Sequence, residues 1–211
     1  MKILITGVAG FIGFSLANYL IDKQRNVEVF GIDNYDNYYS VSLKKKRIAI
    51  LNKNKNFLFS KIDITNNNNL KKYFKNKNFD MVFHFAAQAG VRYSLINPKK
   101  YINVNIYGFL NLINCIKENK INKFIYASSS SVYGESKKFP LKETGATSPK
   151  NIYGYSKLIN EQIADYYSRI YSINSIGLRF FTVFGAWGRP DMFIIKLLSK
   201  NKNNNIFQLN N

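Results

Sequence analysis

Residues 2–13 read KILITGVAGFIG, and this stretch decides the fold. KILIT (2–6) is a short apolar run. Glycines follow at Gly7, Gly10 and Gly13, and a helical period of apolar side chains runs from Phe11 to Asp22. Between a strand and a helix such glycines let the backbone approach a pyrophosphate. The helix N-terminus adds free N–H groups and the positive end of its dipole. The spacing is G-x-x-G-x-x-G, not the G-x-G-x-x-G of the commonest dinucleotide fingerprint. A tight strand–helix turn also selects glycine for its own sake, so context has to decide.

That context is strand–helix alternation. Strand-like runs fall at 27–33, 57–63, 81–87, 123–129 and 175–181. Between them the pattern predicts a basic helix over about 41–51, a polar helix opening at Asn66–Asn69, and helices over about 99–119, 153–171 and 192–200. A low-complexity KNKNNN and a last apolar run, IFQL, close the chain. Near-continuous apolar strands alternating with helices imply an α/β fold, a Rossmann-like doubly wound parallel sheet covered on both faces. No internal repeat or interdomain linker is visible. The expected division is a dinucleotide-binding domain over 1–185 and the start of a truncated substrate region over 186–211.

Asp33 ends the second run, 20 residues past Gly13. An acid at that distance hydrogen-bonds the adenosine ribose and repels a 2′-phosphate. No arginine adjoins it, which favours NAD over NADP.

The totals narrow the function classes. A chain of 211 residues, 46% hydrophobic, can bury one good-sized core. One cysteine, Cys115, rules out an internal disulfide and fits a reducing compartment; it sits in an apolar helical pattern and reads as inert core. There is no signal peptide and no run of ~18 apolar residues, so a cytoplasmic protein without a membrane partner is expected. The net charge of +19 comes from scattered lysines, with Asn, Ile, Tyr and Phe inflated alongside. Codon bias explains that better than a nucleic-acid partner. The densest cluster, Lys44-Lys45-Lys46-Arg47, reads as a solvated helix face.

Residues 152–157 read IYGYSK. At 100° per residue, Tyr153 and Lys157 share a helix face while Tyr155 points away. A free phenol with pKa near ~10 is a poor base at neutral pH, but a nearby ammonium and a cationic nicotinamide would both favour the phenolate. Chance helix-surface Tyr–Lys pairs exist. Upstream, YASSSSVYG (126–134) puts four serines at a strand end, where parallel sheets bind ligands. A hydroxyl there could bond both Tyr153 and a substrate oxygen.

As a set, TGxxGxxG, Asp33, HFAAQAGVRYS, YASSSSVYG, YxxxK and LRFFTVFG resemble the extended short-chain dehydrogenase/reductase family, within it the nucleotide-sugar epimerases, and most of all those acting on UDP-glucuronate. The resemblance implies Ser129, Tyr153 and Lys157 as catalytic residues. It implies NAD contacts at Phe11, Ile12, Asp33, Asn34, Asp63, Ile64, Phe85, Ala86, Ala87 and Asn105. His84, the one histidine, lies beside this segment and reads as structural; no metal is expected. In this family a tyrosinate takes the sugar 4-hydroxyl proton while the C4 hydride passes to NAD⁺. Dehydratases and decarboxylases of the family carry an acid just after the catalytic serine or threonine. Ser130 and Ser131 stand there instead, which favours simple epimerisation.

Arg92 (AGVRYS) and Arg189 (WGRPDM) sit in loops beside active-site strands. A guanidinium fork suits a planar carboxylate such as that of UDP-glucuronate, although a loop arginine can equally serve backbone carbonyls. Thr182 is a further substrate candidate. Family members continue beyond Asn211 with much of the uridine site. The expectation is therefore a UDP-sugar 4-epimerase, UDP-glucuronate to UDP-galacturonate, supplying capsule or envelope polysaccharide, with a homodimer as its assembly. Its rivals are an inactive remnant that binds NAD only, and an epimerase of a neutral UDP-hexose.

Overall fold

Two-residue periodicity sorts the strands' side chains between two cores. In β1 (Lys2–Thr6), Ile3 and Ile5 face one way and Leu4 the other; in β2 (Glu28–Asp33), Val29 opposes Phe30 and Ile32. The first face packs on Phe14 and Ala17 of α1 (Phe11–Lys23) and on Ile48 and Leu51 of α2 (Val41–Leu51). The second packs on Leu70 and Phe74 of α3 (Asn67–Phe74), on Phe109 and Leu112 of α6 (Gly108–Glu118), and on Ala164 and Tyr167 of α7 (Ile152–Tyr171). Each of the leucine, isoleucine and phenylalanine side chains removed from water contributes about 1.5–3 kcal/mol. The computed structural model describes residues 1–24, 26–136 and 139–201.

With β3 (Phe57–Lys61), β4 (Met81–His84), β5 (Lys123–Ala127) and β6 (Asn174–Leu178), the strands form one parallel sheet in the order β3-β2-β1-β4-β5-β6. The order reverses between β1 and β4, where Thr6 is in register with His84. Ligands of open α/β sheets bind in the crevice at that reversal. Thus the doubly wound reading holds. Cys115 is fully buried, and burial pushes its thiol up to about 11.

Several strands stop short of their apolar runs. MVFHFAA leaves the sheet after His84: Phe85 N–H still donates to Thr6 O (3.1 Å), but Ala86 N–H donates to the Thr6 hydroxyl instead (3.2 Å). The released residues line the crevice. VRYSLI forms an unexpected short helix, α4 (Val91–Ile96); its Leu95 and Ile96 are exposed, so no buried stripe announced it. The helix expected over about 99–119 is α5 (Pro98–Tyr101), a π-helical turn (Ile102–Tyr107) and α6. After β6 comes α8 (Phe193–Asn201); the IFQL run and all of KNKNNN but its first two residues lie outside the described residues.

The basic cluster needs correcting. Lys45 and Lys46 are exposed, but Lys44 is 6% exposed and Arg47 fully buried. The helical stripe Ile48–Leu51 continues backwards onto positions 44 and 47, so the cluster is half solvated and half core.

Candidate active site

A cavity of about 370 Å³ runs along the C-terminal edge of the sheet. At one end lies the glycine turn. Gly7 has φ +70, and a Cβ there would stand 2.5 Å from Ala86 N; a Cβ on Gly13 would stand 2.4 Å from Gly7 O. Among the described residues no side chain caps the N-terminus of α1, so its first-turn N–H groups, on Phe11 and Ile12 among others, face the cavity for an anion. The turn thus fits a pyrophosphate.

Next along the edge is Asp33, whose carboxylate accepts from Ala9 N (3.1 Å) and Tyr35 N (2.8 Å). Burial raises its pKa, against those bonds and the charge of Lys44. Asn34 Nδ2 donates to Asp63 (2.8 Å), which also accepts from the Thr65 amide and hydroxyl. Burial pushes Asp63 up, but these hydrogen bonds outweigh it and leave its pKa lowered. Asn34, Asp63, Ile64, Phe85, Ala86 and Ala87 all line the cavity. So does Lys44, which composition arguments had assigned to the solvent. Asn105 does not. It is buried behind the wall, its amide pinning both polar backbone atoms of Gln88 (2.8 and 3.1 Å) and bonding Ser156 Oγ (3.0 Å).

The chemistry-bearing end follows β5. Ser129 Oγ accepts from Ser131 N–H (3.1 Å), and Ser129 lines the same cavity as the Tyr153 phenol. Tyr153 faces the cavity, packed edge-on against Tyr101 at 6.1 Å, while Tyr155 is half exposed outside. The N-cap Asn151, which accepts from Gly154 N (2.9 Å), fixes this register of α7. Burial raises the Tyr153 pKa; Ser129 and the charge of Arg189 oppose it. Lys157 lines the cavity deeper in, and burial lowers it to about 8; its ammonium donates to Ala127 O (2.8 Å) rather than to the phenol. His84 is fully buried against the Thr6 hydroxyl (2.7 Å) and held down to about 3, first by burial and then by the charge of Lys157.

Thr182 and Arg189 line the far end. Arg189 is forked onto Asp191 (3.0 and 2.7 Å), and Asp191 accepts weakly from the Tyr38 hydroxyl (3.4 Å). Arg92 is exposed in the first turn of α4 and does not line the cavity, although Val91 beside it does. Sequence reasoning missed Tyr38, Arg47 and Asp191 around this end, and Lys44 beside Asp33; only the spacing of positions 44, 47, 48 and 51 foretold burial of the two cations.

A dinucleotide turn, a ribose-side acid and a Ser–Tyr–Lys set on one sheet edge define the class. Residues 3–210 match the NAD dependent epimerase/dehydratase family, and the chain belongs to it. It is 48% identical to Protein CapI of Staphylococcus aureus, over 93% of this chain and 58% of that protein. It is 44% identical to UDP-glucuronate 4-epimerase 4 of Arabidopsis thaliana, over 99% of this chain and 48% of that protein. Among solved structures, the UDP-glucuronic acid 4-epimerase of Bacillus cereus in complex with UDP-glucuronic acid and NAD superposes with a TM-score of 0.90 at 36% identity, covering 96% of this chain and 63% of that one. The chain therefore spans about half to three-fifths of the length of these relatives.

Proposed function

We propose that this chain carries the cofactor and catalytic part of an NAD-dependent UDP-sugar 4-epimerase, converting UDP-glucuronate to UDP-galacturonate through a 4-keto sugar. The observation that carries this reading is that Ser129, Tyr153 and Lys157 line the same cavity as the glycine turn. Gly7, Gly10, Gly13, Asp33 and Asp63 would hold the dinucleotide. NAD⁺ bound there supplies a reversible hydride acceptor for C4. Tyr153 takes and returns the proton on the sugar O4. Ser129 orients that oxygen and stabilises the phenolate, and buried Lys157 adds positive potential once the cavity fills. Ser130 and Ser131 offer no carboxylate for elimination, and Arg189 with Thr182 would meet the sugar carboxylate.

Two observations support rival readings. Arg189 already has a carboxylate partner in Asp191, which favours a neutral UDP-hexose. Ile176, Phe181 and Phe184 are exposed at the β6 edge, as expected of a chain that binds NAD but lacks part of its substrate site. We place 1–185 in the dinucleotide unit and 186–211 at the start of the substrate region. A cytoplasmic location and a homodimer are part of the proposal, the latter supported by Tyr155, Tyr166 and Ile170 exposed on α7. The test is formation of UDP-galacturonate from UDP-glucuronate with NAD, by this chain and by one extended with a relative's C-terminal part. Turnover by the extended chain supports the reading. Turnover of UDP-glucose alone would shift it to the neutral sugar, and no turnover by either would leave the NAD-binding remnant.

A further inference from the structure

We propose that Arg47 is a positioning residue that couples the phosphate-binding turn to the loop of residues 185–191, so that dinucleotide binding sets the placement of Arg189. The proposal rests on the dinucleotide reading of the cavity. Arg47 is 0% exposed. Its guanidinium donates to Ala9 O (2.8 Å) in the glycine turn, to the Tyr39 hydroxyl (2.8 Å), and to the carbonyls of Trp187 and, more loosely, Gly188 (3.4 Å). None of these partners is a carboxylate, and among the described residues its Nε has no partner. A guanidinium cannot shed its proton, and burying an unpaired charge is costly. A residue kept there only for packing would better be apolar.

Two further observations say what it is kept for. Ala9 is gripped from both ends, its N–H by Asp33 and its carbonyl by Arg47. A continuous set of hydrogen bonds therefore runs from the ribose-side carboxylate, through the turn, to a carbonyl one residue before Arg189. Secondly, Trp187 has φ +63, a left-handed conformation that a bulky L-residue holds only when its surroundings over-determine it. Those surroundings are the Arg47 grip on its carbonyl and the edge-on contact of its ring with Phe14, 5.7 Å away on α1. Both anchors belong to, or touch, the turn that would cradle a pyrophosphate. Movement of the turn on ligand binding is thereby passed to the loop that carries Arg189 and Asp191.

Trp187 is the chain's one tryptophan, so its fluorescence reads the loop directly. The experiment is acrylamide quenching of Trp187 with and without NAD, in the wild-type chain, Arg47→Lys and Arg47→Met. Calorimetry follows NAD binding separately, and far-UV circular dichroism checks the fold. In the wild type, saturating NAD should protect Trp187. Arg47→Lys keeps the charge but not the fork; it should bind NAD within about tenfold of wild type, yet show faster quenching and no protection. NAD binding by the wild type without any change in Trp187 quenching overturns the coupling and spares the dinucleotide reading. Full NAD protection in folded Arg47→Lys overturns the assignment to Arg47. No calorimetric NAD binding sinks both. If neither variant folds, the wild-type comparison alone decides.

Discussion

The two ends of the cavity are built differently. At the dinucleotide end, backbone does the work: three glycines, uncapped first-turn amides and the buried acid Asp33 leave little room for alternatives. At the substrate end, side chains do it, on segments after β5 and β6 where Phe181 and Phe184 are 60% and 69% exposed. A site made from backbone close approach is complete as soon as its strand and helix pack. A site made from side chains on loops depends on whatever else packs there. The first end should therefore tolerate little substitution and bind its ligand autonomously, and the second should respond residue by residue.

The sharpest break between them is expected at Tyr153. In an extended, active chain, Tyr153→Phe should lower turnover by about 10²- to 10⁴-fold, the range for losing a positioned general base, with NAD binding kept. Tyr155→Phe, half exposed outside the cavity, should retain most activity. A dead Tyr155→Phe with a live Tyr153→Phe would overturn the register of α7.

A second effect separates the sheet beneath the site from the site itself. His84 is held down to about 3, so below its unfolded value of ~6.5 the unfolded chain binds a proton that the folded chain refuses. Its contribution to stability is thus full above ~6.5 and lost as pH falls towards 3, about 3 kcal/mol by pH 4. Urea unfolding at pH 7 and pH 4 should show that loss in the wild type and a clearly smaller one in His84→Gln. Parallel declines would contradict the assignment.

The smallest effect sharpens the contrast between the two arginines. Arg92→Ala is an exposed change outside the cavity and should alter stability by less than about 0.5 kcal/mol and the KM for UDP-glucuronate by less than about threefold. Arg189→Ala should raise that KM about tenfold or more, a lost charged hydrogen bond being worth about 1.5–3 kcal/mol. The reverse order would move the carboxylate contact to α4.

Sequence made most of the dinucleotide end readable, because its constraints are local. Gly7, Gly10, Gly13 and Asp33 sit at spacings that only a strand–turn–helix–strand unit satisfies, and the alternation of apolar runs predicted the parallel sheet. The face shared by Tyr153 and Lys157 was likewise legible from helix geometry. What sequence could not show is long-range. Asn105, in a π-helical turn, meets Gln88, 17 residues earlier. Arg189 and Asp191 fork together next to Tyr38, from a distant loop. Arg47 was misread for a different reason. Its charge points to solvent, but the spacing from Lys44 to Leu51 marks a buried stripe, and periodicity outranks charge.

The central claim, that the glycine turn and Asp33 form an NAD site within this chain, is tested most directly by calorimetric titration of the 211-residue chain with NAD and NADP. The account predicts binding of NAD about tenfold or more tighter than NADP, since Asp33 accepts ribose hydroxyls and repels a 2′-phosphate. Asp33→Asn should close most of that gap, because Lys44 in the same cavity can then meet the phosphate unopposed. Equal affinities in the wild type, or no binding of either, would contradict it.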